Sequence, residues 1–173
     1  MPYALGATPA GAVRAVRRHV WRGDHDPDMV RRGLTIELIE RPAPVNKRRF
    51  ALTITNTGAA HYLPTGTPDR HLSVELRVLD QSGNVVREER EVLKRTVMWR
   101  PFIVDLWDTR LQPQQPRDYV LDLDTAKTPK ASAIEAAVRY HLLDEARRRR
   151  IGYQNAEPIS YKVYRAQIAL APN

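Results

Sequence analysis

The sequence predicts an all-β fold, an antiparallel β-sandwich of about seven strands that follows a short N-terminal helical arm. Apolar and polar residues alternate in several short segments, which is the pattern of strands with one buried face. Clusters of Gly, Pro, Asn and Asp separate these segments and indicate turns. Because a helical pattern occurs only near the start, we expect two packed antiparallel sheets rather than alternating strands and helices.

The clearest pair of strands lies on either side of a polar loop. Phe50, Leu52 and Ile54 form the apolar face of a strand predicted over residues 48–56, and a similar alternation predicts a strand over residues 71–80. The connection of about 14 residues is long for two strands, and long loops often carry function. Its turn-forming residues are Asn56, Gly58, Pro64, Gly66, Pro68 and Asp69.

The beginning of the chain is predicted to be partly helical. Over residues 12–22, apolar positions recur at helical spacing and arginines occupy the other faces. The apolar positions are Val13, Val16 and Val20. Asp26 or Asp28 is expected to cap a further turn through Met29 and Val30, since a carboxylate can accept the first free amides of a helix.

The rest of the chain is predicted to be mainly strands. A strand starts at Leu34, residues 81–84 form a hairpin turn, and residues 85–98 form a return strand lying partly at a sheet edge. Further strands are predicted over residues 119–124, 131–143 and 159–170, with a helical turn over residues 144–150 and an irregular aromatic segment over residues 99–111. The chain is thus divided into an arm, residues 1–32, and a sandwich domain of immunoglobulin or fibronectin type, residues 33–173.

Composition excludes several kinds of site. The chain has no cysteine, so it contains no disulfide, cysteine-ligated zinc, iron–sulfur cluster or covalently attached haem. Its net charge is +8, which suits nucleic acid, anionic lipid or an acidic protein, although arginine richness also follows from genomic base composition. No apolar run approaches the roughly 18 residues of a membrane span, and no signal-peptide pattern is visible at the start.

Common catalytic motifs are absent, and we expect no enzyme. The sequence lacks G-x-S-x-G, H-E-x-x-H, a P-loop and G-x-G-x-x-G. Asp122 and Asp124 share one strand face, which is unremarkable in an exposed strand. The arginine run at residues 147–150 is interpreted as a solvated face rather than a phosphate site. The aromatic side chains of Trp99, Phe102 and Trp107 are expected to plug the end of the sandwich rather than line a ligand groove.

Three segments together resemble a known family. Residues 56–66 (Asn-Thr-Gly-Ala-Ala-His-Tyr-Leu-Pro-Thr-Gly) and residues 70–83 are similar to a sandwich domain at the C-terminal end of some multihaem c-type cytochromes. Residues 19–29 (His-Val-Trp-Arg-Gly-Asp-His-Asp-Pro-Asp-Met) resemble the "H-x-[aromatic]-x-G-G-H-x-P-x-M" segment that precedes this domain, with Asp24 where the family usually has glycine. The resemblance covers about residues 12–140, and the Cys-x-x-Cys-His motif of the family is missing. The sequence begins with Met1-Pro2. This start is compatible with a chain that represents only the sandwich end of such a cytochrome, and the alternative is that Met1 is an ordinary initiator methionine.

The resemblance implies roles for three histidines. His19 corresponds to a distal axial ligand of a haem that other residues hold, the alternative being a surface histidine at a helix end. His25 is a second candidate ligand, and with the aspartates around it a candidate cation site, the alternative being an acidic helix start. His61 lies in the loop and is expected to be buried and structural, or else to face the haem-bearing partner. His71 and His141 are expected to be exposed.

The functional expectations follow from the resemblance. It implies a non-catalytic accessory domain or subunit of a multihaem electron-transfer assembly, in a periplasmic or other extracytoplasmic location. Haem c would be held by the partner, a haem-bearing cytochrome subunit or another redox-complex protein, and not by this chain. The alternative is a stand-alone sandwich module that binds protein or carbohydrate through residues 56–70 and 99–107. Nucleic-acid binding through arginine charge is a third hypothesis and is not expected.

Overall fold

The computed structural model describes residues 3–7, 13–17 and 23–170. The strands are β1 Tyr3–Ala7, β2 Val13–Arg17, β3 Leu34–Arg41, β4 Lys47–Asn56, β5 His71–Asp80, β6 Val85–Leu93, β7 Arg95–Met98, β8 Val104–Asp108, β9 Pro116–Asp124, β10 Ala131–His141 and β11 Ser160–Ala169. The helices are α1 Pro27–Arg32 and α2 Glu145–Arg150, and a 3₁₀ turn spans Gly23–His25.

Two antiparallel sheets form the body of the protein. One has four strands in the order β11-β10-β5-β6, and the other has three in the order β3-β4-β9. These are the seven strands of the predicted sandwich, so the all-β fold class is confirmed. The remaining strands of the described ranges pair as two separate hairpins, β1 with β2 and β7 with β8.

The core lies between the two sheets, where the inward positions of the strands alternate with outward ones. Phe50, Leu52 and Ile54 of β4 are fully buried, as their period-2 pattern predicts. They pack in one cluster with inward residues of the opposite sheet. Those residues are Leu72, Val74, Leu76 and Val78 of β5 and Ile134, Ala136, Val138 and Tyr140 of β10. Burial of these side chains is the main source of stability.

The long loop after β4 carries the chain from one sheet to the other. β4 pairs with β3 and β9, whereas β5 pairs with β10 and β6. The two strands that flank the loop are therefore not hydrogen-bonded neighbours. This crossing explains why the connection is longer than a hairpin turn.

The predicted helix over residues 12–22 is wrong where the structure describes it. Val13–Arg17 is a strand that pairs with Tyr3–Ala7, with Tyr3 opposite Arg17 and Ala7 opposite Val13. Pairing satisfies the backbone groups on the facing edges of both segments, and valine is well suited to a strand. Helix forms instead at α1, where the Asp26 carboxylate accepts from the amides of Asp28 (2.9 Å) and Met29 (3.2 Å), as the capping prediction required.

Helix α1 packs on the sandwich. Val30 is buried in the core, and the Arg31 guanidinium donates to the carbonyl of Lys162 in β11 at 2.8 Å. The helical turn predicted after residue 143 is also present, as α2, with Asp144 as its N-cap.

The predicted return strand over residues 85–98 is divided at Lys94. β6 forms an edge of the four-stranded sheet, as expected, but β7 leaves that sheet and pairs with β8. The expectation of an irregular segment is therefore wrong for Val104–Asp108. Thr109 anchors the base of the hairpin, since its hydroxyl accepts from the Lys94 amide at 3.0 Å and its amide donates to the Lys94 carbonyl at 3.0 Å.

Candidate functional site

The loop after β4 is bonded directly to the end of helix α1. The amides of Thr57 and Gly58 both donate to the carbonyl of Gly33, at 3.0 and 3.1 Å. A Cβ on Gly58 would lie 2.6 Å from the Cα of Gly33, so only glycine allows this close approach. Two segments that carry the family resemblance therefore meet in space, although the loop follows α1 by more than twenty residues.

A cavity of about 300 Å³ lies where the two segments meet. Its walls are mainly apolar and include Met29, Val30, Gly58, Ala59 and Leu63. Asp24, Arg32, His61, Thr65 and Tyr140 contribute the polar groups. This volume is at the lower end of the range of small-molecule sites, and the combination of apolar walls with a few polar groups is typical of them.

Asn56, rather than His61, holds the loop in place. The Asn56 side chain is fully buried; its amide nitrogen donates to the His61 carbonyl at 2.7 Å and its oxygen accepts from the Ala59 amide at 3.1 Å. The backbones of Leu63 and Leu111 also exchange two hydrogen bonds, at 3.0 and 2.7 Å. The loop is thus positioned by buried amide and backbone bonds.

The His61 imidazole is exposed and lines the cavity, so the prediction of a buried structural histidine is wrong. Its Nδ1 lies 3.1 Å from the carbonyl oxygen of Tyr62. A carbonyl only accepts, so Nδ1 carries a proton and the neutral ring keeps a lone pair on Nε2. A histidine whose other nitrogen donates to a carbonyl is the usual arrangement of a metal ligand.

Asp24 forms the polar floor of the cavity. Its carboxylate accepts from the guanidinium of Arg70 and from the hydroxyl of Tyr140 at 2.8 Å, and its backbone carbonyl accepts from the Tyr161 hydroxyl at 2.6 Å. The Tyr140 and Tyr161 rings stack with centroids 5.4 Å apart. Burial, and then the hydrogen bond to Asp24, raises the pKa of Tyr140. The carboxylate that departs from the glycine of the family thus has two partners of its own, Arg70 and Tyr140.

These partners were missed by the sequence analysis. Arg70 and Tyr140 lie 46 and 116 residues from Asp24, and no local pattern relates them. The only signal was negative, namely an aspartate at a position where the resemblance calls for glycine.

The candidate ligands His19 and His25 differ in what the structure says of them. His19 lies outside the described residues. His25 is exposed and lines a separate cavity of about 430 Å³ beside residues 142–143 and 156–159. The cation site proposed around it has no support: Asp26 caps α1 and Asp28 pairs with Arg31 at 2.8 Å. Among the described residues, no group of three or more His, Cys, Asp or Glu could hold a metal ion.

His71 and His141 are not exposed, which corrects the prediction. They lie opposite each other on β5 and β10, and their rings stack with centroids 4.2 Å apart. His71 Nδ1 donates to the Asp69 carbonyl at 2.9 Å, and His141 Nε2 lies 3.0 Å from the Ser73 hydroxyl. Burial lowers the pKa of both histidines, that of His141 to about 4. Both rings are therefore neutral at pH 7.

A charged ladder on the outer face of the four-stranded sheet was also missed. Glu75 and Glu135 are each only 5% exposed. Arg77 contacts both carboxylates, at 2.6 and 3.3 Å, and Glu88 at 2.8 Å, while Arg165 contacts Glu135 at 2.5 Å. Each buried carboxylate is satisfied by arginine, so the ladder is structural rather than reactive.

The aromatic segment does not plug the sandwich. Trp99, Phe102 and Trp107 are exposed on the β7–β8 hairpin and its tip. In the arginine run, Arg149 and Arg150 are exposed, but Arg147 is half-buried and pairs with Asp69 at 2.6 Å. Asp122 pairs with Arg49 at 2.7 Å, which lowers the pKa of that carboxyl. No catalytic pair results from these groups.

The fold and the cavity define a β-sandwich with a mainly apolar cleft between helix α1 and the loop that follows β4. No family model matches the sequence, and no curated protein matches it. Among solved structures, a penta-haem cytochrome c552 from Thermochromatium tepidum is similar over 86% of this chain, with a TM-score of 0.71 and 20% identity. A β-glucosidase from Kluyveromyces marxianus has a TM-score of only 0.25, which carries no argument.

The match with the cytochrome concerns the fold, since identity is low. This chain spans 42% of the length of that cytochrome. The shared fold agrees with the family resemblance found in the sequence. None of the described helices is long and apolar enough to cross a membrane.

Proposed function

We propose that this chain is a non-catalytic accessory domain or subunit of a multihaem electron-transfer assembly outside the cytoplasm, packed against the haem-bearing part. The observation that supports this most directly is the likeness to a penta-haem cytochrome over 86% of this chain but 42% of the other. Because this chain has no cysteine, haem c would be attached to the partner.

The cleft between α1 and the loop is where the edge of such a haem would rest. Its apolar walls suit a porphyrin edge, and the exposed His61 offers Nε2 with its lone pair. The Arg32 side chain at the rim could pair with a propionate. The donor set therefore fits the group, and bound haem would supply one-electron transfer.

The residues of this chain would orient and shield that group. His19 is the ligand that the resemblance indicates, and it lies four positions before Gly23, which lines the cleft. His61 is the candidate ligand that the described residues support. An imidazole from either would complete the coordination of the iron, and the sandwich would exclude water from one side.

The net charge of +8 favours the same partner. A basic surface is steered towards an acidic docking face or towards haem propionates. Such steering is weakened by salt, since the Debye length falls to about 8 Å at physiological ionic strength.

Absorption spectroscopy of the assembly tests the ligand assignment. We would compare the native assembly with assemblies that carry His19→Ala or His61→Ala, and with His25→Ala, a candidate ligand whose imidazole is exposed outside the cleft. Loss of the ligand should shift the Soret band and raise the reduction potential in one of the first two variants. Unchanged spectra and potentials in all three variants would exclude axial ligation by His19, His25 and His61.

The isolated chain allows a second measurement. A haem-c peptide with one open axial position is titrated with wild-type chain and with His61→Ala. We expect a low-spin shift of the Soret band with the wild type and a weaker one with the variant. If the wild type leaves the spectrum unchanged, and no haem-bearing protein co-purifies with the chain from its native source, the proposed function is wrong.

A further inference from the structure

The β7–β8 hairpin presents an unusual amount of apolar surface. Phe102 is 75% exposed, Ile103 69% and Trp107 59%, and Met98, Trp99 and Leu106 are exposed as well. With Val104, which is 43% exposed, seven large apolar side chains thus lie on one short element. Contiguous exposed patches of this kind mark binding surfaces for protein or membrane.

Both faces of strand β8 are uncovered among the described residues, while Arg95, Thr96 and Val97 of β7 are half-buried. All five residues of β8 are exposed, although successive side chains point to opposite sides of a strand. Leu106 and Trp107 are neighbours in sequence, and both are exposed. A flat protein interface would cover one face of such a hairpin, whereas a surrounding apolar medium covers both.

Cations flank the apolar tip. Arg100 is exposed in the turn of the hairpin itself. The guanidinium of Arg147 lies over the ring of Trp99, with Cζ 6.0 Å from the ring centroid, which places helix α2 beside the hairpin. The exposed Arg149 and Arg150 follow on that helix.

The nearby carboxylates are paired. Asp105 pairs with Arg95 at 3.0 Å, and Glu145 pairs with Arg148 at 2.6 Å. Within the described part of the chain, no carboxylate lies at ion-pair distance from Arg100. Arg149 also approaches Glu145, at 3.6 Å, whereas Arg100 and Arg150 have no ion pair among the described residues, so the surface combines an apolar tip with unneutralised positive charge at these two arginines.

We propose that this hairpin and the arginines of α2 bind the interface of an anionic lipid bilayer. Trp99, Phe102 and Ile103 enter the boundary between headgroups and acyl chains, where tryptophan is especially favoured. Arg100 and Arg150 meet the lipid phosphates. Insertion is shallow, because the unpaired backbone edges of a two-stranded hairpin cannot enter the hydrocarbon. A depth of about 5–10 Å is the usual range for surface-bound elements.

Vesicle co-sedimentation tests the proposal with the full chain. Vesicles of phosphatidylcholine alone are compared with vesicles containing about a third phosphatidylglycerol, at low and at high salt. We expect binding to the anionic vesicles at low salt, with at least a tenfold weaker partition for pure phosphatidylcholine and for high salt. Tryptophan fluorescence should shift to the blue on binding and be quenched by lipids brominated near the headgroup.

Two variants and one control identify the surface. The double variant F102S/I103S should reduce partition at least tenfold, and R100E/R150E should remove the preference for anionic lipid. V85S/V86S, which changes two exposed valines on β6, should bind like the wild type. Circular dichroism confirms that each variant is folded.

Three outcomes would overturn the proposal. They are failure of the wild type to sediment with anionic vesicles at low salt, binding that F102S/I103S leaves unchanged, and loss of a protein or glycan ligand in F102S/I103S without any vesicle binding. The last would make the hairpin a protein- or carbohydrate-binding surface. None of them depends on the haem experiments.

Discussion

Asp24 joins parts of the chain that are far apart in sequence. Its carboxylate is mostly buried, at 13% exposure, and accepts from Arg70 of the loop and Tyr140 of β10. Its carbonyl accepts from Tyr161 of β11. Glycine could supply only the last of these bonds, so the departure from the family pattern has a structural consequence. It fixes the turn before α1 against the four-stranded sheet.

Removal of this carboxylate should destabilise the fold. Asp24→Ala leaves Tyr140 and Arg70 without their acceptor in a half-buried site, and we expect the free energy of unfolding to fall by about 1–3 kcal/mol. Urea denaturation measures it. The control is Asp28→Ala, whose side chain is 65% exposed and whose loss should cost less than about 0.5 kcal/mol. Equal effects of both substitutions would contradict the role given to Asp24.

The lowered pKa of His141 in the stacked pair leads to a prediction about how the stability of the fold depends on pH. The folded pKa of His141 is about 4, below the value of about 6.5 in an unfolded chain. The unfolded state therefore binds more protons between these values, and stability should fall as the pH drops from about 6.5 to about 4. Above about pH 6.5 the histidine is neutral in both the folded and the unfolded state, so it does not contribute to the pH dependence of stability.

His141→Gln should reduce this pH dependence, because glutamine does not titrate, while His71, whose pKa is also lowered by burial, still contributes. The free energy of unfolding is measured at pH 7 and pH 4.5 for the wild type and the variant. The matched control is His25→Gln, which changes an exposed histidine and should keep the wild-type slope. A slope that His141→Gln leaves unaltered would assign the acid sensitivity to other groups. The arginine-paired carboxyls of Asp108 and Asp118, whose pKa values are lowered, lose their stabilising effect at still lower pH.

At the scale of elements, the contact between α1 and the loop forms the candidate site. Gly58 lies against the backbone of Gly33, so neither element can move without disturbing the other. The loop looked functional in the sequence because of its length and its turn residues. Which helix it would meet was not predictable, since that depends on the crossing between sheets.

Gly58→Ala should separate these elements. The added Cβ would lie 2.6 Å from the Cα of Gly33 and 3.0 Å from the carbonyl oxygen of Arg32, and backbone atoms cannot rotate away. We expect a loss of about 1–3 kcal/mol by overpacking, larger than the gain of about 0.4–1 kcal/mol from the less flexible unfolded chain. Urea denaturation measures the sum, with the exposed Ala60→Ser in the same loop as control. An increase in the free energy of unfolding of Gly58→Ala would contradict the close approach of the Gly58 and Gly33 backbones.

In the β7–β8 hairpin, sequence patterns failed to predict both the second strand and the exposure of the aromatic residues. Arg95–Met98 belonged to the predicted return strand, but in Val104–Asp108 neither face is buried, so hydrophobic periodicity gave no strand signal there. Its large aromatic residues suggested burial, yet no described element covers them. Only the pairing of Arg95–Met98 with Val104–Asp108 reveals the strand.

At the scale of the whole molecule, the core between the sheets determines stability. Phe50 is fully buried in the cluster that both sheets share. Phe50→Ala should cost about 3–5 kcal/mol, since it removes buried apolar area and leaves a cavity. Val86→Ala on the exposed edge strand should change stability by less than about 0.5 kcal/mol. Coincident fluorescence and circular-dichroism transitions would show that the two sheets unfold together; separate transitions would contradict a shared core.

The sequence by itself determined the sandwich. Strand periodicity, turn residues and the absence of long helical patterns depend on neighbouring residues, and seven strands were predicted for this reason. The same local rules failed for Val13–Arg17, where backbone pairing with the preceding strand Tyr3–Ala7 outweighs a helical spacing of valines.

The tertiary structure alone decided how the functional groups are arranged. The stacking of His71 on His141 follows from the register of β5 with β10, and the partners of Asp24 come from three distant segments. The exposure of the His61 side chain follows from the buried Asn56 side chain, which hydrogen-bonds the backbone of Ala59 and His61 and so holds the loop in place. Burial, pairing and protonation at these positions depend on strand register and on how the two sheets pack, and these are properties of the whole chain rather than of any local segment.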